Sequence, residues 1–171
     1  MNEDRNKNSK FLDAQTGVEQ ALAEATHYHN QGRFTEAERL YRSILNVDPN
    51  QPVALHLLGV LAQQANQSET ALELISRAVS IKPDYFKAHS NLGNVLNEMN
   101  YFDRAVKCFH KAIEIEPKYA QAHGNLGNAL RGLGRLEEAV VSYEKAVALM
   151  PHLVDVQINL GNLYKESGFW E

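Results

Sequence analysis

The sequence predicts an all-α fold, an α-α superhelix of stacked helical hairpins with four full repeats plus the first helix of a fifth. Three observations predict it. Pro49, Pro83, Pro117 and Pro151 recur at an interval of 34 residues. In the same register stand Gly59, Gly93, Gly127 and Gly161, each preceded by a leucine: Leu58, Leu92, Leu126 and Leu160. A second row of small residues, Ala37, Ala71, Ala105 and Ala139, is followed four residues later by Tyr41, Ile75, Phe109 and Tyr143. Counting each repeat from 31 residues before its proline gives units 18–51, 52–85, 86–119 and 120–153, a partial unit 154–171, and a polar segment 1–17 ahead of them.

Each element has a physical reason. The opening segment carries three acidic and three basic residues and few apolar ones, a composition that predicts disorder through about residue 16, with Phe11 and Leu12 as its docking points on the first helix. The first repeat has Glu24 and Ala25 where later repeats have Leu and Gly, the mark of a terminal capping unit whose outer face meets water. Within a repeat, small residues at positions 8 and 20 let the two helices approach closely. Leucine at position 7 and a large residue at position 24 fill the space beside them. Gly32, Asn66, Asn100, Gly134 and Gly168 fall between the helices, where residue types that accept a left-handed backbone are wanted. Each proline ends the second helix, because it cannot continue the hydrogen-bond ladder. One hairpin cannot bury its apolar face alone, so the repeats must stack.

This pattern resembles the tetratricopeptide repeat (TPR) family over everything after about residue 17, and it implies a TPR solenoid. Position 4, often Trp in that family, is here Ala21, Leu55, His89, His123 and Gln157. The resemblance implies that the first helix of each repeat lines a concave groove through positions 2, 5, 6, 9, 12 and 13. The lining would be Val53, His56, Leu57, Val60, Gln63 and Gln64 in repeat two, and Lys87, Ser90, Asn91, Asn94, Asn97 and Glu98 in repeat three. Repeat four would add Gln121, Gly124, Asn125, Asn128, Arg131 and Gly132, and repeat five Asp155, Ile158, Asn159, Asn162, Lys165 and Glu166.

Bulk properties exclude several classes. The chain has 171 residues, is 44% apolar and carries a net charge of −4, which argues against nucleic acid as a partner. No run of about 18 apolar residues is present, so no membrane span is expected. The opening residues lack the apolar core and cleavage site of a secretory signal. The single Cys108 excludes an internal disulfide and favours a reducing compartment, the cytoplasm. Cys108 has no His–acid arrangement around it and reads as a structural thiol. His27 and His29 are two apart, and His89 and His123 one repeat apart. Neither spacing gives three or four convergent ligands, so no metal is expected. No phosphate-binding loop, catalytic set or cofactor site is legible.

What remains is the groove. Asn-Leu-Gly-Asn occurs at 91–94, 125–128 and 159–162, placing two parallel rows of asparagine across the array. Mid-helix Asn costs about 0.5 kcal/mol relative to Ala, so these residues ask for a compensating interaction. An amide offers a donor and an acceptor, which suits the backbone of an extended peptide. The structural account, in which the amides tie neighbouring repeats together, is favoured for Asn94, Asn128 and Asn162. Ligand contact is favoured for Asn91, Asn125 and Asn159. With Lys87, Gln121, Arg131 and Lys165, these residues form the expected peptide-binding set. A chaperone carboxylate clamp does not fit, since Ser90 and Asp155 stand where cations would be needed. The position-6 asparagines are similar to the ladder in the TPR groove of O-linked N-acetylglucosamine transferases, and the run Leu55 to Ala62 resembles the start of bacterial proteins that continue into such a transferase domain.

The sequence therefore reads as a non-catalytic scaffold that binds an extended segment of a partner protein. An acceptor-recruiting N-terminal part of a glycosyltransferase and a structural oligomerisation unit are the alternatives. Val156, Leu160, Leu163, Tyr164, Phe169 and Trp170 are expected to form an apolar end, covered by further chain or by a second copy in a homodimer.

Overall fold

In the computed structural model, the backbone is described over residues 2–167 and the side chains over residues 16–166. The chain divides into two compact units, residues 1–81 and 82–171. The first holds α1 (Asn2–Asn30), α2 (Phe34–Val47), α3 (Pro52–Gln64) and α4 (Ser68–Ile81). The second holds α5 (Phe86–Glu98), α6 (Phe102–Ile115), α7 (Ala120–Gly132), α8 (Leu136–Leu149) and α9 (Val154–Ser167). Within the first unit α1 packs on α2, α2 on α3 and α3 on α4. Within the second, α6 lies against both α5 and α7, and α8 against both α7 and α9. This is the all-α hairpin solenoid that the repeat predicts.

Helix ends follow the sequence signals. The helices α2, α4, α6 and α8 each stop two residues before Pro49, Pro83, Pro117 and Pro151. The hairpin turns place Gly32, Asn66, Asn100 and Gly134 at φ between 57° and 74°, the left-handed region that these residue types tolerate. Gly168 lies outside the described residues. Pro52 opens α3, and the Gln51 side chain caps it by accepting from the amides of Val53 at 2.6 Å and Ala54 at 3.1 Å.

The core sits between paired helices. Ala37, Ala71, Ala105 and Ala139, with Tyr41, Ile75, Phe109 and Tyr143, are all fully buried. A β-carbon added at Gly93 would fall 2.6 Å from the Phe109 ring, and one at Gly59 would fall 2.5 Å from Ile75 Cγ1. Only glycine lets the helices close to that distance.

Three expectations differ from the structure. First, α1 begins at Asn2, so residues 2–16 have helical backbone where a structureless tail is expected. Neither Gly nor Pro occurs before Gly17, so nothing interrupts the helix. The side chains of Phe11 and Leu12 lie outside the described residues, as do Phe169 and Trp170. Second, Leu163 is fully buried rather than part of a bare end, because α9 packs on α8. Val156, Leu160 and Tyr164 are half-buried, and the Tyr164 hydroxyl donates to Glu144. The exposed apolar residues of α9 are instead Val154 and Ile158.

The third correction concerns position 5, expected in the groove. His56, Ser90 and Gly124 are buried there. A β-carbon at Gly124 would meet Val156 Cγ2 at 2.7 Å, so within the second unit Gly124 faces α9 rather than the open side.

Candidate functional site

The first helices of the second unit, α5, α7 and α9, carry the asparagine rows. The Asn125 carboxamide nitrogen donates to Asn94 Oδ1 at 2.8 Å. One repeat later, Asn159 Nδ2 donates to Asn128 Oδ1 at 3.1 Å. Position 6 of one repeat thus pairs with position 9 of the repeat before it, and the two rows form rungs between successive helices. Tyr143 on α8 donates its hydroxyl to the same Asn128 oxygen at 2.7 Å. These are the compensating bonds that mid-helix asparagine requires.

The rungs leave amide groups over. Asn125 and Asn159 use a donor and keep their carbonyl oxygens. Asn94 and Asn128 use their oxygens and keep their N–H groups, and apart from the Tyr143 bond no other bond to these four carboxamides occurs among the described residues. All four are half-buried, beside an exposed Asn162 and a half-buried Asn91 that is held in a contact of its own.

The charged members of the set are spread out. Arg131 donates to Glu166 at 2.6 Å across α7 and α9, a partly exposed pair of about 1 kcal/mol or less. Lys87 is exposed with its ammonium 5.9 Å from the Phe86 ring, and Gln121 and Lys165 are exposed. The structure therefore pairs Asn125 with Asn94 and Asn159 with Asn128, and among the described residues no contact joins Lys87, Gln121, Lys165 and Asn162, which stand along the same helices.

The first unit is different. Positions 6 and 9 there are Ala23 and Thr26, then Leu57 and Val60, with no amide pair. Between α1 and α3 lies an open cavity of about 490 Å³ lined by Glu19, Leu22, Ala23, Thr26, His27, Asn30 and Val53. Amide rungs belong to the second unit.

Position 4 performs a task the sequence did not reveal. His89 Nε2 lies 2.9 Å from the Pro83 carbonyl, His123 Nε2 lies 3.0 Å from the Pro117 carbonyl, and Gln157 Nε2 donates to the Pro151 carbonyl at 2.9 Å. A carbonyl only accepts, so each imidazole donates from Nε2. The histidines close the turn that the repeat proline opens, six residues upstream. The recurring six-residue offset between Pro and a side-chain donor was the available signal. No group of three or more His, Cys, Asp or Glu among the described residues could hold a metal. Cys108 is half-buried, and burial raises its thiol pKa although Arg104 acts the other way. A thiol held protonated is a poor nucleophile. No described helix is long and apolar enough to cross a membrane.

Comparison with known proteins agrees with this geometry. The TPR repeat profile matches residues 93–134 and 127–168, and the Tetratricopeptide repeat profile matches residues 28–92. No curated protein sequence matches the chain. Among solved structures, a crystal structure of MamA superposes with a TM-score of 0.74 at 24% identity, over 84% of either chain. MamA from Desulfovibrio magneticus RS-1 gives 0.77 at 21% identity, over 88% of this chain and 85% of its own. A mutant of the Thermobaculum terrenum O-GlcNAc transferase gives 0.74 at 28% identity, over 79% of this chain but 26% of the transferase. The MamA likenesses bear on the fold alone. Two matching repeat profiles, the 34-residue proline period and the hairpin geometry establish that this chain belongs to the tetratricopeptide repeat family.

Proposed function

We propose that this chain is a non-catalytic interaction scaffold that binds an extended segment of a partner protein along the amide-lined face of α5, α7 and α9. The observation that carries this reading is the pair of rungs, Asn125 to Asn94 and Asn159 to Asn128. Each rung holds two carboxamides in fixed positions and leaves one donor and one acceptor outside the pair. A peptide backbone offers the complementary groups at every residue, whatever its side chains. Arg131 and Glu166 neutralise one another beside the rungs, so the face favours backbone contact over charge recognition. Affinity capture with wild-type chain, compared with Asn91→Ala, Asn125→Ala and Asn159→Ala combined, tests it. Partners kept equally by both would refute the reading. A single cysteine without a disulfide suits a cytoplasmic setting.

A second reading has its own support. The 28% identity to the O-GlcNAc transferase structure covers most of this chain and a quarter of that one. On this reading the repeats recruit acceptor protein for a catalytic domain. Sequencing the parent gene past the Glu171 codon decides between them. A third reading, self-association through α9, rests on the exposure of Val154 and Ile158, which are 60% and 55% exposed.

A further inference from the structure

The two rungs share one geometry and differ in one atom. Phe109 and Tyr143 occupy the same repeat position, and both rings lie against a glycine of the facing helix. A β-carbon at Gly93 would fall 2.6 Å from Phe109 Cε1, and one at Gly127 would fall 2.5 Å from Tyr143 Cε1. Both rings are fully buried. The difference is the Tyr143 hydroxyl, which reaches Asn128 Oδ1 at 2.7 Å, while Phe109 leaves Asn94 with the Asn125 bond alone.

We propose that Tyr143 is a positioning residue that fixes the carboxamide of Asn128, making this rung the rigid register point for a bound peptide backbone. The inference rests on the groove reading above and deepens it. The Asn128 oxygen receives two donors, from Tyr143 and from Asn159. Turning the amide over would set its NH₂ against both donors and break both bonds. The Nδ2 group is therefore held on the side away from them, as a donor of fixed direction. Asn94 lacks the second lock and turns over at the loss of one bond. Burial raises the Tyr143 phenol to about 12, so the hydroxyl keeps its proton and its donor role throughout the physiological range. Repeat one shows the pairing is not a general feature of tyrosine at this place. There the Thr26 hydroxyl donates to the Leu22 carbonyl at 2.8 Å, and the buried Tyr41 hydroxyl has no hydrogen-bond partner among the described residues.

The test uses ¹⁵N-labelled full chain and the side-chain amide signals of Asn94 and Asn128, with Tyr143→Phe and Phe109→Tyr as variants. Tyr143→Phe should shift the Asn128 signals and hasten their proton exchange, leaving Asn94 little changed. Phe109→Tyr, which adds the missing hydroxyl, should slow exchange at Asn94. Signals at Asn128 that are unmoved by Tyr143→Phe would overturn the inference. The binding arm uses a blocked alternating alanine–serine peptide long enough to span both rungs. The expected result is affinity about fivefold weaker for Tyr143→Phe, the equivalent of one net hydrogen bond. Equal affinity of variant and wild type overturns the register role while sparing the groove reading. A peptide that shifts no ladder amide of the wild-type chain overturns the groove reading itself, and the register role with it.

Discussion

The ring of Tyr143 lies so close to the backbone of Gly127 that a β-carbon there would fall 2.5 Å from the ring edge. Tyr143 is fully buried, so the ring has nowhere to go. Gly127→Ala should therefore destabilise the chain by about 1–3 kcal/mol through overpacking, less up to about 1 kcal/mol returned by alanine's helix propensity. Gly161 holds the same repeat position with nothing within 4 Å among the described residues. Gly161→Ala should stabilise by about 0.5–1 kcal/mol. Denaturant melts of the two variants should move in opposite directions, and a shared direction would refute the packing argument.

Leu126 precedes that glycine and is 4% exposed on α7, a helix that packs against both α6 and α8. Leu126→Ala should cost about 2–5 kcal/mol, as for other buried leucines. A loss under about 0.5 kcal/mol, the range of ordinary surface sites, would contradict the register.

The combined change Asn91→Ala, Asn125→Ala and Asn159→Ala separates binding from stability. Asn125 and Asn159 lose two interhelical bonds, each of about 0.5–1.5 kcal/mol net, and Asn91 loses the contact that it holds. Three mid-helix asparagines become alanine, which returns about 0.5 kcal/mol each. The two effects nearly cancel, so the melting temperature should change little while partner capture falls. A large loss of stability with capture intact would assign the row to structure alone.

Alkaline pH should unfold the chain through its buried phenols. Tyr41, Tyr119 and Tyr143 all have pKa values raised by burial from 10.0, Tyr143 to about 12. A raised folded pKa means that the unfolded chain releases the proton first, so stability is complete below pH 10.0 and is lost as pH climbs toward about 12. Tyr143→Phe should remove part of that loss. Melting temperatures measured across this window, alongside phenolate absorbance, check the sign. A melting temperature unchanged over the window would contradict it.

The hairpins were legible because their determinants are local and periodic: Pro83 ends α4, Asn100 takes the left-handed turn, and Gly93 faces Phe109. The asparagine rungs of the candidate site were legible in residue type but not in pairing. Asn125 and Asn94 are separated by 31 residues, a distance bridged only when two first helices stack. The same stacking hides Ser90 and Gly124, which a single helix would show as groove residues. His123 read as a packing residue, and its bond to the Pro117 carbonyl depends on a turn conformation that residue type does not specify.

The outer side of α9 supports one further expectation. At the position where Ser90 and Gly124 are buried in earlier repeats, Ile158 is 55% exposed, and Val154, one helical turn earlier, is 60% exposed. Residues at this place face the next first helix elsewhere in the unit, as the approach of Gly124 to Val156 shows. Two large aliphatic side chains one turn apart on a helix form a single apolar strip. Covering that strip with the same strip of a second copy would remove it from water and give a two-fold dimer, in which each α9 supplies the patch that the other buries. Light scattering on the 171-residue chain should then report a mass that rises with concentration toward the dimer. Val154→Lys with Ile158→Glu should hold it monomeric without lowering its melting temperature, since both side chains already stand largely in water. A wild-type chain that stays monomeric at high concentration would show that α9 is not a self-association surface.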